Sequence, residues 1–159
     1  MKTIYIFRHA KSVEDGQEYG EKILTADILP HAKEPIEKMG IYLKTVLIDT
    51  AFCSEVKRCR QTANIVSGKT GIQFITDKRI NEYYLEQFGD FRKRVQSFFK
   101  DLEKMKEETI LICTHGAVIA GLTHLLLEGT FENFQLLDFP NPGVLIKITE
   151  KKLEEIDFN

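Results

Sequence analysis

Thr3-Ile4-Tyr5-Ile6-Phe7-Arg8-His9 begins as an aromatic and β-branched run and ends on a cation and an imidazole. Such a run reads as a short buried strand. Its last two residues then fall at the strand's carboxyl edge, where open α/β sheets bind ligands. A guanidinium offers a planar fork of donors, and a neutral imidazole is a nucleophile. Side by side, Arg8 and His9 suit an anionic phosphoryl group.

The rest of the chain supplies the sheet that this strand needs. Apolar residues at 32, 36, 39, 43 and 46 recur at helical spacing, with Pro35 in the first turn and Gly40 as a weak spot. Thr50–Ser54 reads as a second strand, and Arg58–Val66 as a helix ended by Ser67-Gly68. A short strand is expected over Ile72–Thr76. Phe91, Val95, Phe98, Leu102 and Met105 mark the cleanest amphipathic helix. Thr109–Cys113 is another buried strand and Gly116–Leu127 another helix. Val144–Thr149 and Leu153–Phe158, with Glu150-Lys151-Lys152 between them, predict a terminal hairpin. Residues 10–30 are irregular and are expected to loop over the sheet's edge. Alternating strands and helices imply an α/β domain with a largely parallel sheet.

A chain of 159 residues fits one domain, residues 1–159, with a substantial core. Its net charge of −2 gives no electrostatic case for nucleic acid or a membrane surface as partner. Three cysteines, Cys53, Cys59 and Cys113, lack metal-ligand spacing and read as free thiols in a reducing compartment. No signal peptide is visible, and the apolar stretches are too short to span a bilayer. The expectation is a cytoplasmic protein; its oligomeric state stays open.

Two further segments repeat the arrangement at Arg8-His9. Thr114-His115-Gly116 follows the strand Ile110-Leu111-Ile112-Cys113. Gly116 lets the backbone turn tightly, and the helix after it aims free N–H groups at a nearby anion. Ser54 through Ala63 also follows a strand and opens a helix, with Arg58 able to reach the same edge. Arg60, two positions on, faces elsewhere. Basic residues opening a helix oppose its dipole, a cost that a neighbouring anion would offset.

With these segments in view, the chain resembles the histidine phosphatase superfamily, which also holds the cofactor-dependent phosphoglycerate mutases. The matching residues are Arg8-His9-Ala10, the run Ser54-Glu55-Val56-Lys57-Arg58-Cys59-Arg60-Gln61-Thr62-Ala63, and His115-Gly116. The resemblance implies a three-layer α/β/α sandwich of the phosphoglycerate mutase type. It also implies a phosphate site of Arg8, His9, Arg58, His115 and Gly116, with an acidic proton donor. Ile80-Asn81-Glu82 is the best match for that donor, and Glu86 is its rival. Ala10 and Lys11 depart from the commoner pattern, and Arg-His-Ala-Lys resembles the branch of bacterial phosphohistidine phosphatases. Asp15 stands where many members carry asparagine. A carboxylate there would repel phosphate, so a different local loop is expected.

The implied chemistry is hydrolysis of phosphomonoesters or protein phosphohistidine through a phosphohistidine on His9. Arg8, Arg58 and His115 would surround the phosphoryl oxygens. Glu82 would protonate the leaving oxygen and then activate water. Nearby arginines would lower its pKa, so burial or the phosphate's charge must raise it. Neither metal nor cofactor is required. The stretch between Glu82 and His115 has little material for a lid, which predicts an open site and argues against mutase chemistry. The substrate class is a phosphorylated small molecule or phosphoprotein.

The alternative is a phosphate-binding pseudoenzyme, suggested by Ala10, Lys11 and Asp15 and opposed by intact His9, Arg58 and His115. Ala63–Thr70 satisfies a relaxed phosphate-loop pattern, but it runs along a helix and lacks the preceding strand. No cysteine has an arginine six residues on, as a cysteine-dependent phosphatase needs. The four histidines show no zinc-ligand spacing with cysteine.

Overall fold

A computed structural model describes residues 1–159. Its strands are β1 (Thr3–Arg8), β2 (Thr50–Cys53), β3 (Phe74–Thr76), β4 (Thr109–Thr114), β5 (Val144–Thr149) and β6 (Lys152–Asp157). Its α-helices are α1 (Lys33–Leu43), α2 (Lys57–Thr70), α3 (Phe88–Lys104) and α4 (Gly116–Glu128). The strands form one sheet in the order β3-β2-β4-β1-β5-β6. β1 to β4 run parallel, while β5 and β6 pair antiparallel at one side.

Alternation along the central strands divides the core between two faces. Ile4, Ile6, Ile110 and Ile112 pack with Phe91, Val95, Phe98 and Leu102 of α3 and with Ile119 and Leu122 of α4. Tyr5, Phe7, Leu111 and Cys113 pack on the other face, with Ile36, Met39 and Leu43 of α1 and Cys59, Ala63 and Val66 of α2. Both faces are covered, hence the continuous apolar runs of β1 and β4. The result is the expected α/β/α sandwich. Each large side chain buried by α3 contributes about 1.5–3 kcal/mol of transfer free energy.

Register sets the site. Arg8 lies level with Thr114, and Cys53 with Cys113. His9, Ser54 and His115 therefore emerge together, just past the carboxyl ends of β1, β2 and β4. After β1 the chain departs towards the α1 face, and after its neighbour β4 towards the α4 face. Adjacent connections leaving to opposite faces open a crevice between them.

Several boundaries differ from expectation. α2 runs to Thr70 and ends on Gly71 in the left-handed region, φ 78°, whose N–H bonds Ser67 O. Gly68 is an exposed helical residue and not the stop. The third strand begins at Phe74 and not Ile72. The hairpin turn is only Glu150-Lys151, both at positive φ, so β6 begins at Lys152. Gly40 is a point of close approach: a Cβ there would meet Lys69 Cγ of α2 at 2.9 Å. Lys69, from the relaxed phosphate-loop pattern, is thus part of the α1–α2 contact.

Between Glu82 and His115 the chain forms only α3 and β4, with no inserted lid helix. Cover comes instead from residues 12–28. Leu29 N–H donates to Lys11 O at 2.8 Å and closes the base of this loop. Ala26 and Ile28 anchor it in the core. The site is therefore less open than its lack of insertions suggested.

Candidate active site

His9 follows β1 and is 2 % exposed. Its Nδ1 lies 2.8 Å from Ala10 O, an acceptor only, so Nδ1 carries the proton and donates. Nε2 is then a lone pair, and it accepts from Arg58 Nε at 3.2 Å. Burial first, then the charges of His115 and Arg58, push His9 well below its ordinary pKa of 6.5. The ring is neutral at physiological pH, with the lone pair of Nε2 turned to the site.

Arg58 lies in the first turn of α2 and is fully buried. Nη2 donates to Glu82 Oε2 at 2.7 Å, and Nη1 donates to Ile23 O. Tyr19 lays its ring on the guanidinium, 4.5 Å from centroid to Cζ. The anion expected to offset a basic helix start is here the Glu82 carboxylate. Thr62, one turn on, bonds Arg58 O at 2.7 Å and accepts from Ala10 N–H at 2.9 Å. The Gln61 amide receives Ile28 N–H. The Gln-Thr of the motif thus ties α2 to the loop after β1. Arg60 does face away, bonding Glu55 O.

His115 follows β4 with no measurable exposure, its ring 5.3 Å from that of His9. Nε2 lies 2.8 Å from Ser54 Oγ and 3.4 Å from Cys59 Sγ, and Nδ1 lies 3.4 Å from Glu82 Oε2. Burial opposes a charge on this ring, but Cys59 and Glu82 together outweigh it and raise its pKa to about 9. For Glu82, burial pushes the pKa up, and His115 and Arg58 prevail in holding it down at about 2. Unliganded, this is a carboxylate among cations.

Glu86 is committed elsewhere. Arg94 of α3 grips it with Nη2–Oε1 at 2.5 Å and also donates to the carbonyls of Arg79, Asn81 and Glu82. One guanidinium thereby fixes the loop that presents Glu82. Asn81 Oδ1 accepts from Ser54 Oγ at 3.0 Å and Glu55 N–H at 2.9 Å, which steadies the His115 partner.

Arg8 differs from Arg58. Its Nε is buried without a hydrogen-bond partner, and its guanidinium lies 5.0 Å above the Phe139 ring. It faces a cleft of about 710 Å³ that Lys11, Tyr19, His31 and Asn141 also line. Gly116 opens α4, whose first N–H groups have no side-chain cap and can meet an anion. Its φ is ordinary. Glycine is needed there because a Cβ would stand 2.7 Å from the Phe139 ring. Asp15, expected to repel phosphate, is exposed and ion-paired with Lys11 Nζ at 2.6 Å. Ala10 fits without exposure in the α1–α2 half of the core.

Five side chains expected from the sequence meet here: Arg8, His9, Arg58, Glu82 and His115. Tyr19, Ser54, Cys59, Asn81 and Arg94 join them as partners that the sequence did not single out. Ser54 lay inside the quoted motif and could have been found there.

The sequence profile of the histidine phosphatase superfamily (branch 1) matches residues 4–89 and 83–158. The chain belongs to that superfamily. This histidine phosphatase is 24 % identical over 183 aligned positions to phosphoserine phosphatase 2 of Hydrogenobacter thermophilus, covering 91 % of this chain and 88 % of the relative. Its fold is that of the alpha-ribazole-5'-P phosphatase of Escherichia coli K-12 (TM-score 0.81, 16 % identity, 100 % of this chain and 97 % of that one). It is also that of the phosphohistidine phosphatase SixA of Agrobacterium tumefaciens (TM-score 0.68, 14 % identity, 98 % and 96 %). Each of these three names carries the qualifier "putative". Family and relatives make the chain a phosphatase acting on phosphorylated substrates. No helix is long and apolar enough to cross a membrane.

Proposed function

We propose that this histidine phosphatase hydrolyses phosphomonoesters or protein phosphohistidine through a phosphoenzyme on His9. The reading rests chiefly on one observation, the 2.8 Å contact of His9 Nδ1 with Ala10 O, which puts the proton on Nδ1 and leaves the lone pair on Nε2. In the first step Nε2 bonds to phosphorus as the bond to the leaving group breaks, at the oxygen of a phosphomonoester or at the imidazole nitrogen of a phosphohistidine. Glu82 delivers its proton to that leaving atom. In the second step water attacks the phosphohistidine, Glu82 takes a proton from it, and the phosphorus–Nε2 bond breaks.

Arg8, Arg58, His115 and the α4 amino terminus stabilise the charge on the phosphoryl oxygens. The incoming phosphate also accounts for the proton on Glu82. An incoming phosphate engages Arg58 and His115, the two groups that hold the carboxylate down. Shared with a dianion, they release Glu82 towards a higher pKa. The leaving group extends from His9 into the cleft of about 710 Å³, which has room for more than phosphate itself.

The test is a turnover reaction with p-nitrophenyl phosphate in chelator, quenched in alkaline detergent and read by intact-protein mass. A phosphorylated fraction is expected that acid treatment removes and that His9→Ala lacks. Retention of the phosphoenzyme in His9→Ala overturns the assignment. Phosphate binding without turnover on a panel of phosphohistidine proteins, sugar phosphates and nucleotides overturns the hydrolase reading.

A further inference from the structure

Every nitrogen of Arg58 already has a protein acceptor, which commits three of its five N–H groups. Nε is on His9 Nε2, Nη1 on Ile23 O and Nη2 on Glu82 Oε2, and Tyr19 covers the guanidinium's face. The side chain is wholly shielded from solvent. A phosphate arriving from the cleft meets Arg8 directly but reaches Arg58 only after some of these partners leave.

The partners of Arg58 differ in how firmly they are held. His9 sits on the rigid end of β1, and Glu82 on the loop clamped by Arg94. Tyr19 and Ile23 belong to the outer part of the 12–28 loop. Residues 14–18, 20–22, 24 and 25 are exposed. Gly16 and Gly20, at φ 79° and 55°, lie in its amino-terminal half, with open space around both. The polar contacts that residues 16–25 make outside the loop all end on Arg58. Within the loop, Tyr19 is tied by its hydroxyl to Ser12. A segment with few buried contacts opens at low cost once its attachment is lost.

We propose that Tyr19 is a positioning residue that latches the 16–25 segment onto Arg58, and that phosphate opens the site by taking Arg58 from that latch. The unliganded enzyme holds Arg58 ready beside His9 but spent on its own loop. Phosphate oxygens replace Ile23 O as acceptors, and the segment swings out about its glycines. The latch lowers apparent affinity, because only the unlatched fraction binds fully. This proposal rests on the phosphatase reading for its kinetic arm only.

The first experiment needs no variant. Trypsin cleavage after Lys22, in the middle of the latched segment, is followed by mass spectrometry in the full chain, with and without inorganic phosphate. Cleavage there tracks the opened population. Phosphate is expected to speed it several-fold. Unchanged or slowed cleavage overturns the latch.

The second compares Tyr19→Ala and Tyr19→Phe with the parent on p-nitrophenyl phosphate. Loss of the ring removes a desolvated cation–π contact, and KM and the inhibition constant of phosphate should fall about tenfold. The fall should be larger in KM than any change in turnover number, and Tyr19→Phe should restore the parental KM. A KM unchanged or raised in Tyr19→Ala overturns the proposal. An unmodified chain that fails to turn over the ester refutes the phosphatase reading instead, and the trypsin result still decides the latch.

Discussion

Gly116→Ala should damage the site through Phe139. The added Cβ would stand 2.7 Å from Cε2 and 2.8 Å from Cδ2 and Cζ of that ring. Comfortable carbon–carbon contact is about 3.5–4.0 Å, so the ring must retreat by about 1 Å. Such overpacking costs about 1–3 kcal/mol. Alanine recovers at most about 1 kcal/mol of helix propensity, and less at a first helical position. The net loss is about 1–2 kcal/mol. For a chain of this size that is a fall in Tm of about 3–6 °C. Phe139 also backs the Arg8 guanidinium at 5.0 Å, so its retreat moves the one arginine that faces the cleft. A misplacement near 1 Å is worth up to about a hundredfold in rate, and kcat/KM should drop between about ten- and a hundredfold. Thermal melts and p-nitrophenyl phosphate kinetics measure both quantities. The decisive comparison repeats Gly116→Ala in a Phe139→Ala background, where the ring is gone and the melting penalty should vanish. An equal penalty in both backgrounds, or a parental Tm and kcat/KM in the single variant, refutes the reasoning.

Glu82→Gln should lower turnover of alkyl phosphates by about a hundredfold or more, and of p-nitrophenyl phosphate far less, because a good leaving group needs no proton. Equal losses on both would remove the acid role. Arg94→Met should cost about 2–3 kcal/mol by stranding Glu86 and three carbonyls, visible in urea melts, and should lower kcat with the loop that carries Glu82. A stable variant with parental kcat would show that the clamp is idle. His9 is buried with its pKa far below 6.5, so its neutral form is favoured on folding. Its contribution is intact above pH 6.5 and is lost as pH falls below that value. Glu82, held at about 2 against 4.5, adds stability above 4.5 that is lost between 4.5 and 2. Tm measured against pH should therefore decline from about 6.5 downwards in the parent and more shallowly in His9→Asn. Parallel curves would contradict the burial argument.

Those residues were legible in sequence for different reasons, and the differences are physical. Arg8, His9 and His115 could be read because strand ends are marked locally: an apolar run stops and a polar pair follows. The sheet register then brings them together without further information. Arg58 could be read only through its motif, since nothing in a basic helix start separates a phosphate ligand from a solvated turn. Arg94 resembled any cation on the polar flank of an amphipathic helix, and its role depends on carbonyls 12 to 15 positions away. Ser54 and Asn81 are 27 positions apart, and Tyr19 meets Arg58 across the fold. Gly40 and Gly116 were judged by what glycine does to its own backbone, whereas the structure uses them for room, against Lys69 and Phe139. A loop over residues 10–30 was expected, but not its hold on Arg58. That hold alters the electrostatic reading of the site. The sequence suggested several cations waiting for phosphate, whereas folding gives Arg58 to Glu82 and Ile23 and leaves Arg8 as the one arginine facing the cleft. Arg8 is therefore the first contact for an anion, and Arg58 the contact made only when the site rearranges.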